Sequence, residues 1–393
     1  MPVINRIAEF SPESVQWRHK IHSEPETAFE EVKTSALVAG LLESFGIEVH
    51  RGLAKTGVVG ILRGQQTTSG KSLGLRADMD ALPLEEVGDH CHRSQHPGKM
   101  HACGHDGHTA MLLTAARYLA ETRNFDGTVH FIFQPAEEQG GGANVMIREG
   151  LFEQFPCDQV FAIHNLPGLE SGHIGTRVGP IMAISDTVQI EITGKGGHGA
   201  MPQETVDPIV VGSLIVNALQ TVVSRSIDPV KSAVVTITQF HAGETNNAIP
   251  GSAFLEGTLR AYEDDIYQDL QDKITQISQR LAEAHGAEAV VRFPGSYPAT
   301  VNSRRESELV LEAAEEVVPR QNVLSDINPL MGGEDFSYMT QQKPGAFIFL
   351  GNGKDSANLH TECYDFNDEI IPVGASLWAK LVEKALPITS NLK

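Results

Sequence analysis

The chain has 393 residues, 41% of them hydrophobic, with 37 glycines and a formal net charge of −20 at pH 7. This length favours two or three units, and the composition is that of a folded, loop-rich α/β protein. The acidic balance excludes nucleic acid as an expected partner, because a phosphate backbone needs clustered Lys and Arg. With four cysteines, no secretory leader pattern and no apolar segment of membrane-spanning length, we expect a cytoplasmic protein that does not bind membranes.

The first part of the chain alternates helical and strand patterns. Ser11-Pro12-Glu13 is predicted to open a helix, and a second helical period ends at Gly46. Apolar runs then predict strands between helices, with strands at 57–62, 72–77, 128–133 and 159–163 and helices at 29–45, 109–121 and 143–149. This alternation indicates a mixed, largely parallel sheet covered by helices, where ligands collect beyond the carboxyl ends of the strands.

From about Ile181 the pattern changes to the β-α-β-β-α-β order of a ferredoxin-like domain. The predicted elements are strands at 187–193, 233–240, 253–262 and 288–293, and helices at 207–225 and 264–285. After Pro294 the alternation of helices and strands seen in the first part resumes, with a helix at 306–317, a strand at 346–350 and a helix at 373–385. We therefore predict one α/β domain in two segments, 1–180 and 296–393, interrupted by an inserted α+β domain at 181–295.

Residues 100–108 read Met-His-Ala-Cys-Gly-His-Asp-Gly-His, which is a concentration of metal-ligating side chains. Cys103 and His105 stand two apart, so both can face one point on a turning segment. A thiolate and an imidazole suit a transition metal better than magnesium or calcium. Gly104 and Gly107 allow the backbone to fold tightly around an ion. Taken alone, the segment leaves a metal loop and an ordinary polar loop equally open.

Polar residues that follow the predicted strands extend this set. Five candidate ligands are expected at the same edge of the sheet: Cys103, His105, Glu138, His164 and His360. Five ligands are too many for one tetrahedral structural site and fit two metals that share a ligand. Glu137 is left over beside a ligand, where its carboxylate can take a proton from a water and return it to a leaving amine. An acidic, solvated turn is the plainer interpretation of two adjacent glutamates.

Several phrases together resemble a known family. They are Leu-Arg-Ala-Asp-Met-Asp-Ala-Leu-Pro, the 100–108 segment, Gln-Pro-Ala-Glu-Glu, Gly-Lys-Gly-Gly-His-Gly-Ala-Met-Pro and Gly-Gly-Glu-Asp-Phe. They look like the co-catalytic metallopeptidase family that includes aminoacylase and carboxypeptidase G. The closest resemblance is to its branch of hippurate hydrolases, N-acyl-amino-acid amidohydrolases and indole-acetyl-amino-acid hydrolases. The resemblance covers essentially the whole chain and implies a two-metal amidohydrolase with a catalytic domain and an inserted lid domain.

The resemblance also implies how the ligands are divided. Cys103 matches the bridging ligand, which is an aspartate in most of the wider family. His105 and His164 would complete one metal site, while Glu138 and His360 would complete the other. The expected cofactors are two divalent metal ions, zinc or manganese, with nickel or cobalt as substitutes.

Three further positions come from the same resemblance. Glu137 matches the general base, and Asp78 matches the carboxylate that orients a ligand. The chain departs from the wider family at Arg76, where that family has a histidine ligand, and an arginine cannot ligate a metal. His105 replaces the missing ligand, as in the hippurate-hydrolase branch.

The inserted domain supplies three more candidates. His198 resembles the histidine that hydrogen-bonds a developing oxyanion, in its own subunit or across a dimer, and Asn247 resembles a neighbouring amide donor. Arg260 resembles the cation that holds the substrate's free carboxylate. Without the family match, a loop histidine and a solvated arginine are the plainer interpretations.

The predicted reaction is hydrolysis of an N-acyl amino acid, such as an N-acetyl or N-benzoyl compound, to a carboxylic acid and an amino acid. Lid closure with hinges near residues 180 and 295 and a homodimer or higher homo-oligomer formed through the lid are also expected. Alternatives are a dipeptidase or carboxypeptidase with the same site, a thiol hydrolase with Cys103 as nucleophile, and a metal-dependent binding protein. His90, His92 and His96 are predicted to line or cap the substrate entrance, or to have no role, rather than to ligate.

Overall fold

The chain forms two compact units in the computed structural model, which describes residues 3–388. The first unit contains the chain up to Ile181, residues 301–328 and the part from Asp335 onward. The second unit contains Met182–Thr300 and Pro329–Glu334. The predicted insertion at 181–295 therefore ends earlier than the second unit does and omits its short second segment.

An eight-stranded sheet forms the centre of the first unit. Its strands, in spatial order, are Glu48–Leu53, Gly57–Arg63, Thr128–Gln134, Ser72–Asp78, Gln159–Pro167, Gly345–Gly353, Ile174–Gly175 and Val323–Leu324. The third to sixth of these strands run parallel, and antiparallel pairs lie on both sides of them. These parallel strands are buried along most of their length, as expected when helices cover both faces of a sheet. The predicted mixed, largely parallel α/β sheet is confirmed.

The first unit has eight α-helices among the residues that the structure describes, and five of them pack apolar faces into one core. These five are Asn5–Ser23, Val32–Ser44, His105–Thr122, Arg304–Val317 and Ile371–Ala385. The other three are Gly142–Arg148, Leu151–Gln154 and Ser337–Gln342. The predicted helix start at Ser11-Pro12-Glu13 is wrong, because Pro12 lies inside the first helix. Proline removes one backbone hydrogen bond there, but the helix continues upstream because Ile7 and Phe10 are buried.

The helix that was expected at 109–121 begins earlier, at His105. Gly104 precedes it with a φ of 93°, and a Cβ at this position would lie 2.3 Å from Asn165 Oδ1. A Cβ on Gly107 would lie 2.3 Å from the Phe366 ring. These glycines are therefore required by close approach of neighbouring side chains, and the helix start fixes the backbone of the metal-ligating segment.

The second unit has the ferredoxin-like arrangement that the sequence predicts. Its antiparallel strands, in spatial order, are Ala233–Ala242, Ser252–Ala261, Ile184–Thr193 and Glu288–Arg292, and its long helices are Pro208–Thr221 and Asp264–Ala284. Ser296–Tyr297 pairs with the third of these strands. The short strands Gly197–His198 and Ala248–Ile249 pair with each other.

One helical segment of the second unit, Pro208–Ser226, is long and apolar enough to cross a membrane by length and composition alone. The sequence predicted a helix at 207–225, but its length and apolar character were not identified as sufficient to cross a membrane. Length and composition do not separate a membrane span from a helix that packs on a sheet. Here one side of the segment, with Val211, Ile215 and Leu219, is buried in the core of the second unit.

Candidate active site

Three of the predicted ligands meet at the edge of the large sheet. Cys103 lies in the loop before the helix His105–Thr122, and His164 lies on the strand Gln159–Pro167. Cys103 Sγ is 3.4 Å from His164 Nε2, and the ligand atoms of Cys103, His105 and His164 all lie within 4.8 Å of one another. This spacing allows one ion to contact all three.

Cys103 also belongs to a second group, with Glu138 and His360. His360 Nε2 lies 3.1 Å from Glu138 Oε1, and the ligand atoms of this group again lie within 4.8 Å of one another. His360 has a φ of 60°, and its backbone N–H donates to Ala102 O at 2.8 Å. The structure thus brings all five predicted ligands together, in two groups that share the thiol.

The buried histidines are oriented as metal ligands usually are. His105 Nδ1 lies 2.8 Å from Asp80 O, and His164 Nδ1 lies 2.7 Å from Asn165 O, so each ring donates through Nδ1 to a backbone carbonyl. Such a bond fixes the ring and leaves Nε2 for a metal. Among the described residues, the buried His105 Nε2 makes no hydrogen bond.

The electrostatics of these groups favour a bound cation. Burial opposes a charge on His105, but Asp78 and Asp80 outweigh it and raise the pKa of the ring to about 10. Burial and the nearby carboxylates of Glu138 and Glu137 raise the pKa of the Cys103 thiol well above its usual value. The pocket is therefore negative, and a divalent metal would replace the proton on His105 and stabilise the thiolate.

Glu137 lies beside the ligands and is held by its backbone. Its N–H donates to Asp80 Oδ1 and the N–H of Glu138 donates to Asp80 Oδ2, both at 3.0 Å. Glu137 Oε1 accepts from the Asp335 N–H at 3.4 Å, and the side chain is 7% exposed. One carboxylate, Asp80, thus fixes both glutamates and the ring of His105.

Asp78, which the resemblance implies as a ligand-orienting carboxylate, makes different contacts. It is fully buried and accepts from Arg76 Nη1 at 2.7 Å, and its Oδ1 lies 2.6 Å from His108 Nδ1. Its nearest contact to a predicted ligand is 3.7 Å, to His105 Nε2. The direct hydrogen bond to a ligand ring comes from Asp80 instead.

Further residues hold this site together through contacts that the sequence did not predict. Arg76, which was treated only as a lost ligand, is buried and joins Asp78 to Asp335 through Nη1 and Nη2. Asp335 in turn accepts from the N–H of Ala143 at 2.9 Å. His108 Nε2 lies 2.7 Å from Asn165 Oδ1. The signals in the sequence were the motifs that contain His108 and Asp335 and the second acid, Asp80, two residues after Asp78.

The second unit places His198 and Asn247 next to each other. His198 ends the short strand that pairs with Ala248–Ile249, and Asn247 directly precedes that partner. The N–H of Gly199 donates to Asn247 O at 2.8 Å, and both His198 and Asn247 are exposed. The two backbones are therefore adjacent, and the shared role of the two side chains toward one oxyanion stays a prediction.

Arg260 lies on the strand Ser252–Ala261 and is partly buried. Its Nε donates to Met331 O at 3.0 Å, and its Nη1 donates to Leu259 O at 2.7 Å and to Thr258 Oγ1. Backbone carbonyls therefore fix the direction of this guanidinium within the second unit. Its predicted contact with a substrate carboxylate stays a prediction.

An α/β sheet whose edge carries two overlapping ligand groups and an adjacent glutamate defines a metallohydrolase. The model of Peptidase family M20/M25/M40 matches residues 74–384, and the chain belongs to that family. This agrees with the resemblance seen in the sequence motifs.

Individual relatives cover almost the whole chain. A hippurate hydrolase of Campylobacter jejuni is 42% identical over 98% of this chain and 100% of its own length. A thermostable carboxypeptidase of Saccharolobus solfataricus is 39% identical over 97% of both chains. Among solved structures, a dinuclear metal-binding peptidase of Bacillus subtilis is 31% identical, covers 96% of this chain and 99% of its own, and has a TM-score of 0.84.

Proposed function

We propose that this protein hydrolyses the amide bond of N-acyl amino acids to a carboxylic acid and a free amino acid. The observation that carries this proposal is the position of Glu137, whose backbone is fixed beside five ligand side chains that form two groups. A structural metal site has no need of an additional buried carboxylate at its edge. The hippurate hydrolase relative supports an acyl amino acid as substrate.

Two divalent metal ions are the proposed cofactors, with zinc or manganese as the native metal and nickel or cobalt as substitutes. Cys103 would contact both ions, His105 and His164 would hold one, and Glu138 and His360 would hold the other. The dinuclear relative supports this number of metals. When bound, the metals would supply Lewis acidity toward a water and the acyl carbonyl.

The protein's own residues would handle the protons and the developing charge. Glu137 accepts a proton from the attacking water and later gives it to the departing amine, so one carboxylate serves both steps. His198 and Asn247 would donate hydrogen bonds to the oxyanion, and Arg260 would bind the carboxylate of the amino acid. These roles require the second unit to close as a lid, with hinges near its two boundaries.

A carboxypeptidase or dipeptidase activity is the second candidate, because a carboxypeptidase relative matches the chain over 97% of both lengths. The same metals and the same base would serve a peptide bond. A thiol hydrolase is disfavoured, because a nucleophilic cysteine needs a lowered pKa and burial raises that of Cys103.

A homodimer formed through the second unit is also proposed, in a cytoplasmic protein without nucleic-acid or membrane partners. The strand Ala233–Ala242 lies at the edge of its sheet, and Val210 and Leu214 are exposed on the neighbouring helix. An unpaired edge beside exposed apolar side chains favours association with a second copy. Light scattering over a range of concentrations measures the oligomeric state.

A substrate panel with metal analysis tests the proposed function. Purified protein is assayed on N-acetyl, N-benzoyl and indole-acetyl amino acids and on a dipeptide with a free amine, before and after chelator treatment. We expect two metals per chain, turnover of at least one N-acyl amino acid, loss of turnover with chelator, and recovery when metal is added. Preference for the dipeptide would support the peptidase alternative, and full turnover after metal removal would overturn the proposal.

A further inference from the structure

The segment that carries Glu137 and Glu138 is held by three buried carboxylates from distant parts of the first unit. We call residues 135–141, between a strand and a helix, the catalytic loop. Asp80 accepts the N–H groups of both glutamates, and Asp335 accepts that of Ala143 just after the loop. The third carboxylate is Glu31, which accepts the N–H of Ala136 at 2.9 Å.

Glu31 is not one of the five predicted ligands, and it is 0% exposed. Its Oε1 accepts two backbone N–H groups, from Ala136 and from Phe29 at 3.0 Å, and its Oε2 accepts from Thr56 Oγ1 at 2.6 Å. Burying a carboxylate is costly, and three hydrogen bonds offset much of that cost. The arrangement is specific, because two of the three donors are backbone groups in loops.

Both backbone donors are in a strained conformation. Ala136 has a φ of 56° and Phe29 a φ of 61°, a region that residues with a Cβ rarely adopt. The Phe29 ring also packs on the catalytic loop, since a Cβ on Gly140 would lie 2.5 Å from its Cε2. A single oxygen of Glu31 thus stabilises two unfavourable backbone conformations, and one of them directly precedes Glu137.

We propose that Glu31 is a positioning residue for the catalytic loop. Loss of its Oε1 would let Ala136 relax to a negative φ. That rotation would redirect the two residues that follow, Glu137 and Glu138. The proposal rests on the proposed function for its effect on turnover, but its effect on metal binding through Glu138 does not depend on which substrate is cleaved.

The test compares three single variants. Glu31→Leu removes the acceptor, Glu31→Gln keeps an oxygen at the same position, and Thr56→Val removes a Glu31 partner that does not belong to the catalytic loop. We expect Glu31→Leu to lower kcat by about 10–100-fold with little change in KM, and to weaken binding of Mn²⁺ measured by calorimetry. Glu31→Gln should keep most of the wild-type kcat and most of the wild-type affinity for Mn²⁺. Thr56→Val should lower Tm without a comparable fall in kcat.

A second change separates positioning from general destabilisation. Ala136→Gly permits the left-handed conformation without a Cβ penalty. The double variant Glu31→Leu with Ala136→Gly should therefore have a kcat several-fold higher than that of Glu31→Leu alone. If Glu31→Leu does not fold, Glu31→Asp replaces it, because the shorter side chain draws the carboxylate away from the Ala136 N–H.

The outcomes distinguish the two proposals. Unchanged kcat and unchanged Mn²⁺ affinity in folded Glu31→Leu or Glu31→Asp would overturn the role of Glu31, as would an equal loss of kcat in Thr56→Val. If the wild type cleaves no N-acyl amino acid or peptide, the proposed function fails. The Mn²⁺ affinities of the variants then still decide whether Glu31 positions Glu138.

Discussion

The first unit contains two largely buried clusters of histidines and carboxylates that look alike in composition but differ at their centres. We call the first the ligand cluster; its members are Cys103, His105, Glu138, His164 and His360. We call the second the arginine cluster; its members are Arg18, His22, Glu86, His90, His92, Asp106 and Asp365. In both clusters, groups of candidate ligand atoms lie within 4.8 Å of one another.

The arginine cluster already has a permanent cation. Arg18 is fully buried, with Nη1 2.8 Å from Asp365 Oδ1 and 3.2 Å from Asp106 Oδ2, and with Nη2 2.8 Å from His92 Nε2. His22 uses both ring nitrogens, at 2.8 Å to Asp106 and 3.2 Å to Glu86. Despite burial, Asp106 raises the pKa of His22 to about 9, so this ring is a second cation at neutral pH.

The ligand cluster has no arginine among its members, and His105 presents a buried Nε2 without a hydrogen bond among the described residues. The comparison teaches that counting histidines and carboxylates does not identify a metal site. What distinguishes the two clusters is whether the positive charge belongs to an arginine, which stays charged, or to a histidine, whose proton a metal can replace. A metal ion in the arginine cluster would compete with Arg18 for Asp365 and His92, at a large electrostatic cost.

The largest expected effect concerns the base beside the ligand cluster. Glu137→Ala should lower kcat about 10²–10⁴-fold while both metals are retained, because the proton acceptor is lost and the ligands are not. Steady-state kinetics with metal analysis of the same sample measures both quantities. Full activity in this variant would refute the assignment of the base.

Removal of the internal cation should cost stability instead of activity. Arg18→Met removes the guanidinium that pairs with both Asp106 and Asp365 and leaves only histidines beside them, so we expect a loss of about 3–5 kcal/mol in the free energy of unfolding. Arg63→Met is the matched control, because Arg63 pairs with Glu48 at the surface and such pairs contribute about 0–1 kcal/mol. Urea denaturation of both variants measures the two losses in the free energy of unfolding. Equal losses would contradict a special role of Arg18 in stability.

Two histidine variants test directly which cluster binds metal. His105→Ala should reduce the metal content of the purified protein by about one ion per chain, since it removes a ligand of only one ion. His92→Ala should leave the content unchanged. Elemental analysis after dialysis decides, and loss of metal from His92→Ala would show that the arginine cluster is also a metal site.

The smallest effect is a pH dependence of stability. The pKa of His22 is raised to about 9 in the folded protein, above its value of about 6.5 in the unfolded chain. The stabilisation by its charge is therefore fully present below pH 6.5 and is lost as the pH rises through 9. Chelator-treated wild type should lose stability between pH 6.5 and 9 more steeply than His22→Gln, by at most about 1.4 kcal/mol per pH unit. Equal dependence of the free energy of unfolding on pH in the two proteins would contradict the raised pKa of His22.

Much of the ligand cluster was predictable because its residues have distinctive chemistry in recognisable places. Glu138 and His164 stand near the carboxyl ends of strands, and Cys103 and His105 stand in the short 100–108 segment where a helix begins. The residues that hold them were not predictable in this way. Glu31, Asp80 and Asp335 bind backbone N–H groups, and any residue but proline offers such a group, so no partner residue type signals the contact.

The fold also has parts that the sequence predicted and parts that it did not. The alternation of helices and strands predicted the sheet and the ferredoxin-like unit, because hydrophobic periodicity reflects burial directly. The start of the first helix was wrong, because the buried residues before Pro12 override the local preference of proline for a first turn. His90 and His92 were noticed in the sequence, but their place in the arginine cluster was not predicted, since the other members come from segments far apart, such as Arg18 and Asp365.

The hydrogen bonds of the catalytic loop have a consequence for protein engineering. The acceptors that give the loop its shape lie at positions 31, 80 and 335, far from the loop in the chain. A Gln-Pro-Ala-Glu-Glu segment grafted onto another scaffold would therefore carry the two glutamates without the carboxylates that fix their orientation. Transplanting this chemistry requires moving three remote acids together with the motif.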